Sequence, residues 1–361
     1  MAAEMKSYSD KYRVFTWIRL QSYRGTVFAG TLFTLFLKCA MSNKYRQFSE
    51  EYDEYIRAAG IDPPKGCKKA YIACLLVYGA HVKEFFLYDF MHLNDSGRRE
   101  FVTEINRYKI YQTYNGAKKR IEMQDKYLAY EAFRKYYHRE MMRITKDTTA
   151  DALRDFFRNR DAGILKPNLA GCGRGVEIVR LKDYAAPEEA FAYILTKTDY
   201  VLEELVQQAA CMQALHPQSV NTVRVYACRT ASGIRIFGSH LRIGVGDSVV
   251  DNAAQGGVVV SITNDGDAWT SGVDEFGRTH ICHPDTHVRL PGLRMPEWEK
   301  AVQLVTEAMD VFPDIRFVGW DLAYTDAGWI IIEANDNAQF YGAQMPYHKG
   351  LRKEIDRYFQ E

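Results

Sequence analysis

The sequence predicts an α+β protein in which a mainly helical N-terminal region precedes a region of short strands and helices. Residues 11–145 are rich in Lys, Arg, Glu, Tyr, Leu and Ala and contain few turn signals, which is typical of helices. From about residue 150, short β-rich runs alternate with helical segments, and some are joined by hairpin signals. With 361 residues, 47% of them apolar, the chain is long enough for two or three compact domains.

Each element follows from a local pattern. In the helical region, Tyr71–Tyr78 is an apolar helix core, and Arg98–Arg143 has helical periodicity with a break at Asn115-Gly116. Further helices are predicted at Pro187–Lys197, at Pro296–Phe312 with Pro at its start, and at His348–Phe359. Strands are predicted at Ala162–Pro167, Val176–Leu181, Tyr200–Val206, Thr222–Arg229, Ile234–Ile243, Val258–Thr263, Gly319–Tyr324 and Trp329–Ala334.

Charge and cysteine content narrow the class of protein. The net charge is +1, so a nucleic-acid partner is not indicated. Residues 1–145 carry 25 Lys and Arg against 16 Asp and Glu, whereas residues 146–361 carry 22 against 30, so we expect the two parts to have different roles. The seven cysteines are odd in number and form no CxxC pair, which indicates reduced thiols and a cytoplasmic location.

The basic segment Lys11–Arg46 permits two interpretations. Residues 1–48 hold eight Lys and Arg against only Glu4 and Asp10, and Gly25–Leu37 is uncharged over 13 residues. A membrane span needs about 20 apolar residues, so this run is too short to cross a bilayer. Residues 11–46 could instead lie in the interface at the inner face of a membrane. The alternative is that the apolar run is a buried helix of the N-terminal domain.

A lysine followed by a glycine-rich loop is the first candidate for chemistry. Lys166 ends a predicted strand, and residues 168–175 contain Gly171, Gly173 and Gly175. Exposed backbone N–H groups and a nearby ammonium suit a polyphosphate, and glycines let the backbone approach it closely. No Gly-Lys-Ser/Thr opens a helix here, so this is not a Walker A loop. A simple β-hairpin with a glycine turn remains the alternative.

Two strand segments supply the other candidates. Glu333 and Asn335 are two apart on a strand and face the same side, and Asp321 on the neighbouring strand can join them. Such oxygen ligands suit Mg²⁺ bound with a nucleotide; the alternative is a solvated strand face. The run Val201–Val206 is either an edge that offers backbone groups to adenine or an ordinary buried strand.

These three elements in this order resemble the ATP-grasp superfamily over roughly Asp125–Asn337. The closer resemblance is to the ATP-grasp family found with sugar-transfer and surface-polysaccharide genes. Its short motifs are collinear and specific as a set: Leu93-Asn94-Asp95, Asp125-Lys126, Lys166-Pro167, Glu203–Val206, Ser219–Arg224, Leu241–Gly244, Val250-Asp251-Asn252 with Gly256-Gly257, His283-Pro284 and Gly319-Trp320-Asp321.

The resemblance implies a role for each matching residue. Those that would contact the nucleotide are Lys126 and Lys166 at the α- and β-phosphates, the flap glycines Gly171, Gly173 and Gly175, and the adenine hinge of the Glu204 carbonyl and the Val206 N–H, with Glu203 beside it. Those that would serve the reaction are the magnesium ligands Asp321, Glu333 and Asn335, the cations Arg224 and Arg242, and Asn252 near the reacting phosphate. Taken singly, the arginines and Asn252 also suit surface ion pairs or polar strand ends.

The resemblance also implies an architecture. We expect two α+β lobes that enclose ATP, preceded by the helical domain. The predicted division is 1–120 for the helical domain, 121–210 for the first lobe with lysines, flap and hinge, and 211–361 for the second lobe with the magnesium hairpin.

The implied activity is that of a ligase using ATP and Mg²⁺, which activates a carboxylate as an acyl-phosphate for attack by an amine or another nucleophile. The expected substrate is a small molecule or a lipid- or sugar-linked compound, in surface polysaccharide or related biosynthesis. One alternative is an ATP-grasp kinase acting on a sugar or alcohol, and another is a non-catalytic ATP-binding protein. Asp336–Tyr341 departs from the segment that usually follows Glu-x-Asn in related ligases, so the acceptor pocket cannot be transferred from them.

Overall fold

The computed structural model describes residues 42–169, 175–249, 251 and 256–360. Its helices are α1 (Ser42–Ala59), α2 (Cys67–Tyr78), α3 (Val82–Leu87), α4 (Asp95–Arg99), α5 (Glu104–Tyr114), α6 (Ala117–Gln124), α7 (Lys126–Tyr137), α8 (Ala150–Phe156), α9 (Pro187–Leu195), α10 (Ala210–Gln213), α11 (Trp298–Ala308), α12 (Tyr341–Gln344) and α13 (Arg352–Gln360). Its strands are β1 (Met141–Ile144), β2 (Ala162–Pro167), β3 (Glu177–Arg180), β4 (Tyr200–Glu204), β5 (Thr222–Thr230), β6 (Gly233–Ile243), β7 (Val258–Ile262), β8 (Gly272–Val273), β9 (Thr279–His280), β10 (Phe317–Thr325) and β11 (Gly328–Asn335). The predicted α+β class with a helical N-terminal region is confirmed.

An aromatic core holds the first helices together. Phe85, Phe90 and Phe101 are almost completely buried, and Tyr88 stacks on Phe101 with 4.5 Å between the ring centroids. Such a pair stabilises a fold by about 0.5–1.5 kcal/mol beyond simple burial. The same cluster includes Val259 of β7, so the helical region packs directly onto one of the two sheets.

The smaller sheet has the strand order β1-β4-β2-β3 and is antiparallel throughout. Leu165 of β2 lies opposite Leu202 of β4, and both belong to an apolar cluster formed with α8 and α9. Because successive side chains along a strand point to opposite faces, Lys166 and Glu203 lie on the other face of this sheet. The smaller sheet therefore has one apolar face and one face with charged groups.

The larger sheet has the order β11-β10-β5-β6-β7-β8-β9 and is also antiparallel. One face is apolar, and its Val223, Leu241 and Trp320 pack in one core with α7 and α11. The opposite face carries a row of polar residues aligned across five neighbouring strands: Glu333, Asp321, Arg224, His240 and Ser261. Because the other face of this sheet is packed into a core, the polar row forms the floor of any cleft between the two sheets.

The hairpin of β10 and β11 contains a β-bulge. Asp321 pairs with Glu333, whereas the next residue, Leu322, pairs with Ile331, so Ile332 is the extra residue. A bulge bends its strand and redirects the neighbouring side chains. This irregularity lies directly beside Glu333, one of the predicted metal ligands.

One predicted helical stretch contains a strand. Met141–Ile144 form β1, although residues 11–145 were expected to be helical. Its residues pair in register with β4, from Met141 opposite Glu203 to Ile144 opposite Tyr200. Local propensity is a weak preference, and pairing with a neighbouring strand overrides it.

Two helices begin later than predicted. Pro296 lies outside α11, which starts at Trp298, because Glu297 has a φ of 44° and interrupts the helical backbone. The last helix begins at Arg352, since His348 has a φ of 48° that a continuous helix does not permit. The break at Asn115-Gly116 was predicted correctly, between α5 and α6.

None of the helices within the described ranges is long and apolar enough to cross a membrane. The apolar run Gly25–Leu37 and most of the predicted interfacial segment 11–46 fall outside those ranges.

The proposed domain division at residues 120 and 210 stays a prediction.

Candidate active site

A cleft of about 1330 Å³ separates the charged face of the smaller sheet from the polar row of the larger one. Most of the predicted site residues border it. They are Lys126, Lys166, Glu203, Glu204 and Val206 on one side and Arg224, Arg242, Asp321, Glu333 and Asn335 on the other. Residues that are up to 209 positions apart in the sequence are thus brought to one cavity, and their individual roles remain predictions.

Lys166 is held by a buried carboxylate. Its Nζ lies 3.0 Å from Oε1 of Glu203, which is 3% exposed. Burial alone would raise the pKa of Glu203, but the charges of Lys166 and Arg139 outweigh that effect and lower it. Glu203 is therefore ionised and fixes the direction of the lysine side chain. The Glu203 carboxylate contacts these two cations, so it is not a free group beside the hinge.

Lys126 occupies the first position of α7. The side chain of Asp125 caps this helix by accepting a hydrogen bond of 2.9 Å from the Leu128 N–H. Asn168, which is completely buried, donates to Asp125 at 2.8 Å and accepts from the Tyr127 N–H at 3.1 Å. Since Asn168 follows Lys166-Pro167 in the chain, it ties the two lysine segments together.

The predicted hinge follows the end of β4. Glu204 accepts hydrogen bonds from Arg160 at 3.1 Å and from the Glu140 N–H at 3.2 Å, so its side chain already has protein partners. Val206, in an irregular segment after the strand, is half-buried at the edge of the cleft. The groups that the hinge can offer to a ligand are therefore backbone groups rather than side chains.

Asp321 is the electrostatic centre of the polar row. Arg224 donates to both of its carboxylate oxygens, with Nη2 at 2.9 Å, and Arg242 approaches Oδ2 at 3.0 Å. Burial would raise the pKa of Asp321, but the two guanidinium groups outweigh it and hold the pKa at about 2. The acid is therefore ionised at every physiological pH.

Arg242 is also linked to the loop that contains Asn252. Its Nη2 donates to the Thr222 hydroxyl at 2.7 Å, and its Nε lies 3.5 Å from Asp251. Asp251 in turn accepts from the Thr222 N–H at 2.8 Å. Asn252 itself, together with Gly171 and Gly173 of the predicted flap, lies outside the described residues. Gly175 is described, but it lies outside the cleft lining and has a φ of 70°, as a turn requires.

The hairpin residues fit a hard divalent cation. Glu333 has a half-exposed side chain that faces the cleft, 3.8 Å from Nζ of Lys126. Asn335 lies next along the same face, with Nδ2 3.4 Å from Oδ2 of Asp321. All three side chains carry oxygen atoms, and Mg²⁺ is usually held by one or two carboxylates plus phosphate oxygens and water. The donor set is thus of the kind that Mg²⁺ with a nucleotide requires.

Comparison with known proteins identifies the family of this chain. The sequence profile described as "Sugar-transfer associated ATP-grasp" matches residues 105–358, which is more than half of the chain. The chain belongs to this ATP-grasp family. The resemblance found from the motifs is therefore confirmed, whereas no curated protein matches the chain.

Several solved structures are similar to this ATP-grasp chain. The ATP-grasp ligase PsnB, complexed with a phosphomimetic variant of a minimal precursor, Mg and ADP, is 12% identical with a TM-score of 0.43, over 71% of this chain and 65% of that one. The N5-carboxyaminoimidazole synthase of Aspergillus clavatus, with ADP and an aminoimidazole ribonucleotide, is 14% identical with a TM-score of 0.42, over 71% and 58%. The D-alanine-D-alanine ligase of Helicobacter pylori is 12% identical with a TM-score of 0.40, over 66% and 59%. The chain spans less than two thirds of the length of each.

The ATP-grasp chain has a third wall that sequence reasoning missed. Arg107 of α5 donates to the Asn337 side chain at 2.7 Å and forms an ion pair with Glu104, and all three border the cleft. The segment after the Glu-x-Asn motif is thus held by the helical region. No local pattern indicates this, because Arg107 and Asn337 are 230 residues apart.

His240 is a second residue that the sequence did not single out. It lies between Arg224 and Ser261 in the polar row and borders the cleft, yet it is only 4% exposed. Burial, followed by the charges of Arg224 and Arg242, holds its pKa well below the usual range, so the ring is neutral. Among the described residues, its Nδ1 has no hydrogen-bond partner.

Proposed function

We propose that this protein is a Mg·ATP-dependent ligase that activates a carboxylate as an acyl-phosphate for attack by an amine or another nucleophile. The observation that carries the proposal is the convergence of Lys126 and Lys166 with the Asp321 row in one cleft. Cations on both sides of the cleft suit a ligand with several negative charges. Membership in an ATP-grasp family supports ATP as that ligand.

The proposed reaction has two displacements. A substrate carboxylate oxygen attacks the γ-phosphorus of ATP, and the bond to the β–γ bridging oxygen breaks so that ADP leaves with its electron pair. The nucleophile then forms a bond to the acyl carbon, the carbon–oxygen bond to phosphate breaks, and an amine nucleophile loses a proton. Neither step needs a nucleophilic side chain, so positioning and electrostatic stabilisation are what the protein contributes.

The side chains divide this work. Lys166 on the smaller sheet and Lys126 at the start of α7 would orient the phosphates of ATP, and the hinge would receive adenine. Arg224 and Arg242, pre-oriented by Asp321, would face the charge that develops at the transferred phosphoryl group. Asp321, Glu333 and Asn335 would hold Mg²⁺, which when bound neutralises phosphate charge.

The family description supports a connection with sugar transfer. We therefore propose a small-molecule or a lipid- or sugar-linked substrate, in surface polysaccharide or related biosynthesis. The third wall formed by Glu104, Arg107 and Asn337 is where a second substrate would contact the helical region.

A trapping assay tests the proposed reaction. The protein is incubated with Mg·ATP, hydroxylamine and mixed carboxylic acids, and the products are analysed by mass spectrometry. A ligase forms hydroxamates with ADP and free phosphate, because hydroxylamine intercepts acyl-phosphates. A phosphorylated sugar or alcohol with ADP, and no hydroxamate with any acid, would identify the kinase alternative. Binding of ATP without ADP formation in any mixture would identify the non-catalytic alternative.

A further inference from the structure

The side chain of Arg139 is buried, and hydrogen bonds from its guanidinium group fix it in place. It lies two residues after the end of α7 and its side chain is 3% exposed. A guanidinium group has five N–H donors, and Arg139 makes five hydrogen bonds. The acceptors are Oε2 of Glu203 (from Nε at 3.2 Å and Nη2 at 3.0 Å) and the carbonyls of Tyr137 (3.3 Å), Ile331 (2.7 Å) and Ile332 (3.2 Å).

Those acceptors belong to both sheets. Glu203 is on β4 of the smaller sheet, whereas Ile331 and Ile332 are on β11, the edge strand of the larger one. In a regular strand, consecutive carbonyls point to opposite edges. The bulge at Ile332 is what lets two consecutive carbonyls point to one guanidinium group.

Each end of this connection touches a predicted ligand-binding group. On the smaller sheet, Glu203 divides its oxygens, with Oε2 bonded to Arg139 and Oε1 3.0 Å from Nζ of Lys166. On the larger sheet, Ile332 directly precedes Glu333 and is the residue whose bulge directs it. A continuous path therefore leads from the phosphate lysine, through Arg139, to the metal carboxylate.

We propose that Arg139 is a positioning residue that fixes Lys166 and Glu333 relative to each other, and so couples nucleotide binding to metal binding across the cleft. This inference rests on the proposed function, since it takes the ligand of the cleft to be Mg·nucleotide. Arg139 touches neither ligand. It acts through Glu203 on one side and through the β11 backbone on the other.

A lysine cannot replace this group. An ammonium has three donors on a flexible stem, whereas the guanidinium is planar and its five donors have fixed directions. Arg139→Lys keeps the positive charge beside Glu203, but its donors share one nitrogen and so cannot reproduce the bonds that Nε, Nη1 and Nη2 make in different directions. The substitution therefore removes the connection between the sheets while leaving much of the local electrostatics.

The test is calorimetric titration of the full-length protein with ADP at a series of Mg²⁺ concentrations. We expect Arg139→Lys to weaken ADP binding and also to raise the Mg²⁺ concentration needed for half-maximal binding, each by about 10–100-fold, as loss of an outer-shell contact does. Glu203→Gln alters only the smaller-sheet end, so it should weaken ADP binding without changing the Mg²⁺ requirement.

Arg229→Lys is the matched control. Arg229 also joins a backbone carbonyl to a carboxylate, with Nη2 2.7 Å from the Met309 oxygen and 2.8 Å from Asp310, but it lies outside the cleft lining. Its replacement should leave both ADP binding and the Mg²⁺ requirement unchanged.

The outcomes separate this inference from the proposed function. Absence of Mg·ADP binding by the wild type would refute the proposed function itself. If the wild type binds, an unchanged Arg139→Lys, or one in which only ADP binding shifts as in Glu203→Gln, would overturn the positioning role. Failure of Arg139→Lys to fold while Arg229→Lys folds would also overturn it, in favour of a purely structural role.

Discussion

At the residue scale, the polar row places one carboxylate between two arginines in a buried setting. Asp321 is 3% exposed and Arg224 is 8% exposed. Removing one partner of such a group leaves buried charge uncompensated, which typically destabilises a protein by about 3–5 kcal/mol. A substitution at Asp321 is thus expected to change stability as well as activity. A substitution at Glu333 is expected to change activity alone.

The pH dependence of stability tests the charge of Asp321. Its pKa is about 2, below the ordinary 3.8, so its stabilising contribution is complete above about pH 4 and is lost as the pH falls towards 2. We expect Asp321→Asn to lower the free energy of urea unfolding at pH 7 by about 3–5 kcal/mol. The difference from wild type should shrink between pH 4 and pH 2. A difference that does not change with pH would show that the ion pairs are not its source.

Glu333→Gln tests the metal ligand without disturbing the core. The side chain is 41% exposed, and among the described residues its only ion pair within 4 Å is with Lys126, at 3.8 Å. We expect ATP turnover to fall at least about tenfold and to need more Mg²⁺, because a charged oxygen ligand is lost. The unfolding free energy should stay within about 0.5 kcal/mol of wild type. Wild-type turnover at limiting Mg²⁺ would contradict the assignment.

The sequence predicted part of the site at this scale. The lysines, arginines and hairpin acids, which border the cleft, could be proposed because each belongs to a short motif on a predictable strand or loop. Arg139 follows a helix end without any motif, and His240 alternates normally within a strand. Arg139 contacts residues that lie 64 and 192 positions away in the sequence, and such partners are decided by tertiary packing.

At the element scale, the short helix α12 closes over the floor of the cleft. Gly342 lies against the His240 ring, and a Cβ at this glycine would overlap the imidazole. This close approach, rather than an unusual backbone angle, is why the position requires glycine. The helix α12 and the His240 imidazole therefore pack tightly against each other.

Gly342→Ala tests that packing. We expect the added methyl group to displace His240 or α12 and to lower the unfolding free energy by about 1–3 kcal/mol, as overpacking does. Gly238→Ala is the control, since its Cβ would meet Ala343 at 3.5 Å, an ordinary contact, on the same strand as His240. Thermal denaturation of both variants decides the matter. Equal stability of Gly342→Ala and wild type would mean that the helix is not packed on the imidazole.

Strand positions were predictable because alternation, glycine turns and apolar runs are local signals. The hairpin of β10 and β11 was found in this way, but its bulge was not, since Ile330–Ile332 reads as a regular strand. The strand β1 was missed because Met and Arg favour helices and only its partner β4 makes it a strand.

At the scale of the whole molecule, the helical region is part of the cleft rather than a separate attachment. Its α5 contributes Glu104, Arg107 and Tyr108 to the lining, and its aromatic core continues into β7 and β8. The sequence predicted this region as helical but gave no sign that it borders the site.

The basic N-terminal segment gives a further prediction. We propose that residues 11–46 dock on anionic membranes, because each basic residue near such a surface contributes about 1 kcal/mol. In vesicle sedimentation, the full-length protein should bind phosphatidylserine vesicles at low salt and be released at high salt. Replacing Arg13, Arg19 and Arg24 with Gln should weaken this binding. Failure to bind at low salt would favour the alternative, in which Gly25–Leu37 is part of the core.

Calorimetric titration of the wild-type protein with ADP, with and without Mg²⁺, tests directly whether the cleft binds a nucleotide. If Lys126, Lys166 and the Asp321 hairpin form one nucleotide site, one ADP should bind per chain, more tightly with Mg²⁺. At about 100 times the dissociation constant, it should stabilise the fold by about 2.7 kcal/mol. Lys166→Ala should weaken this binding. Absence of binding and of any stabilisation at millimolar Mg·ADP would show that this cleft is not a nucleotide site.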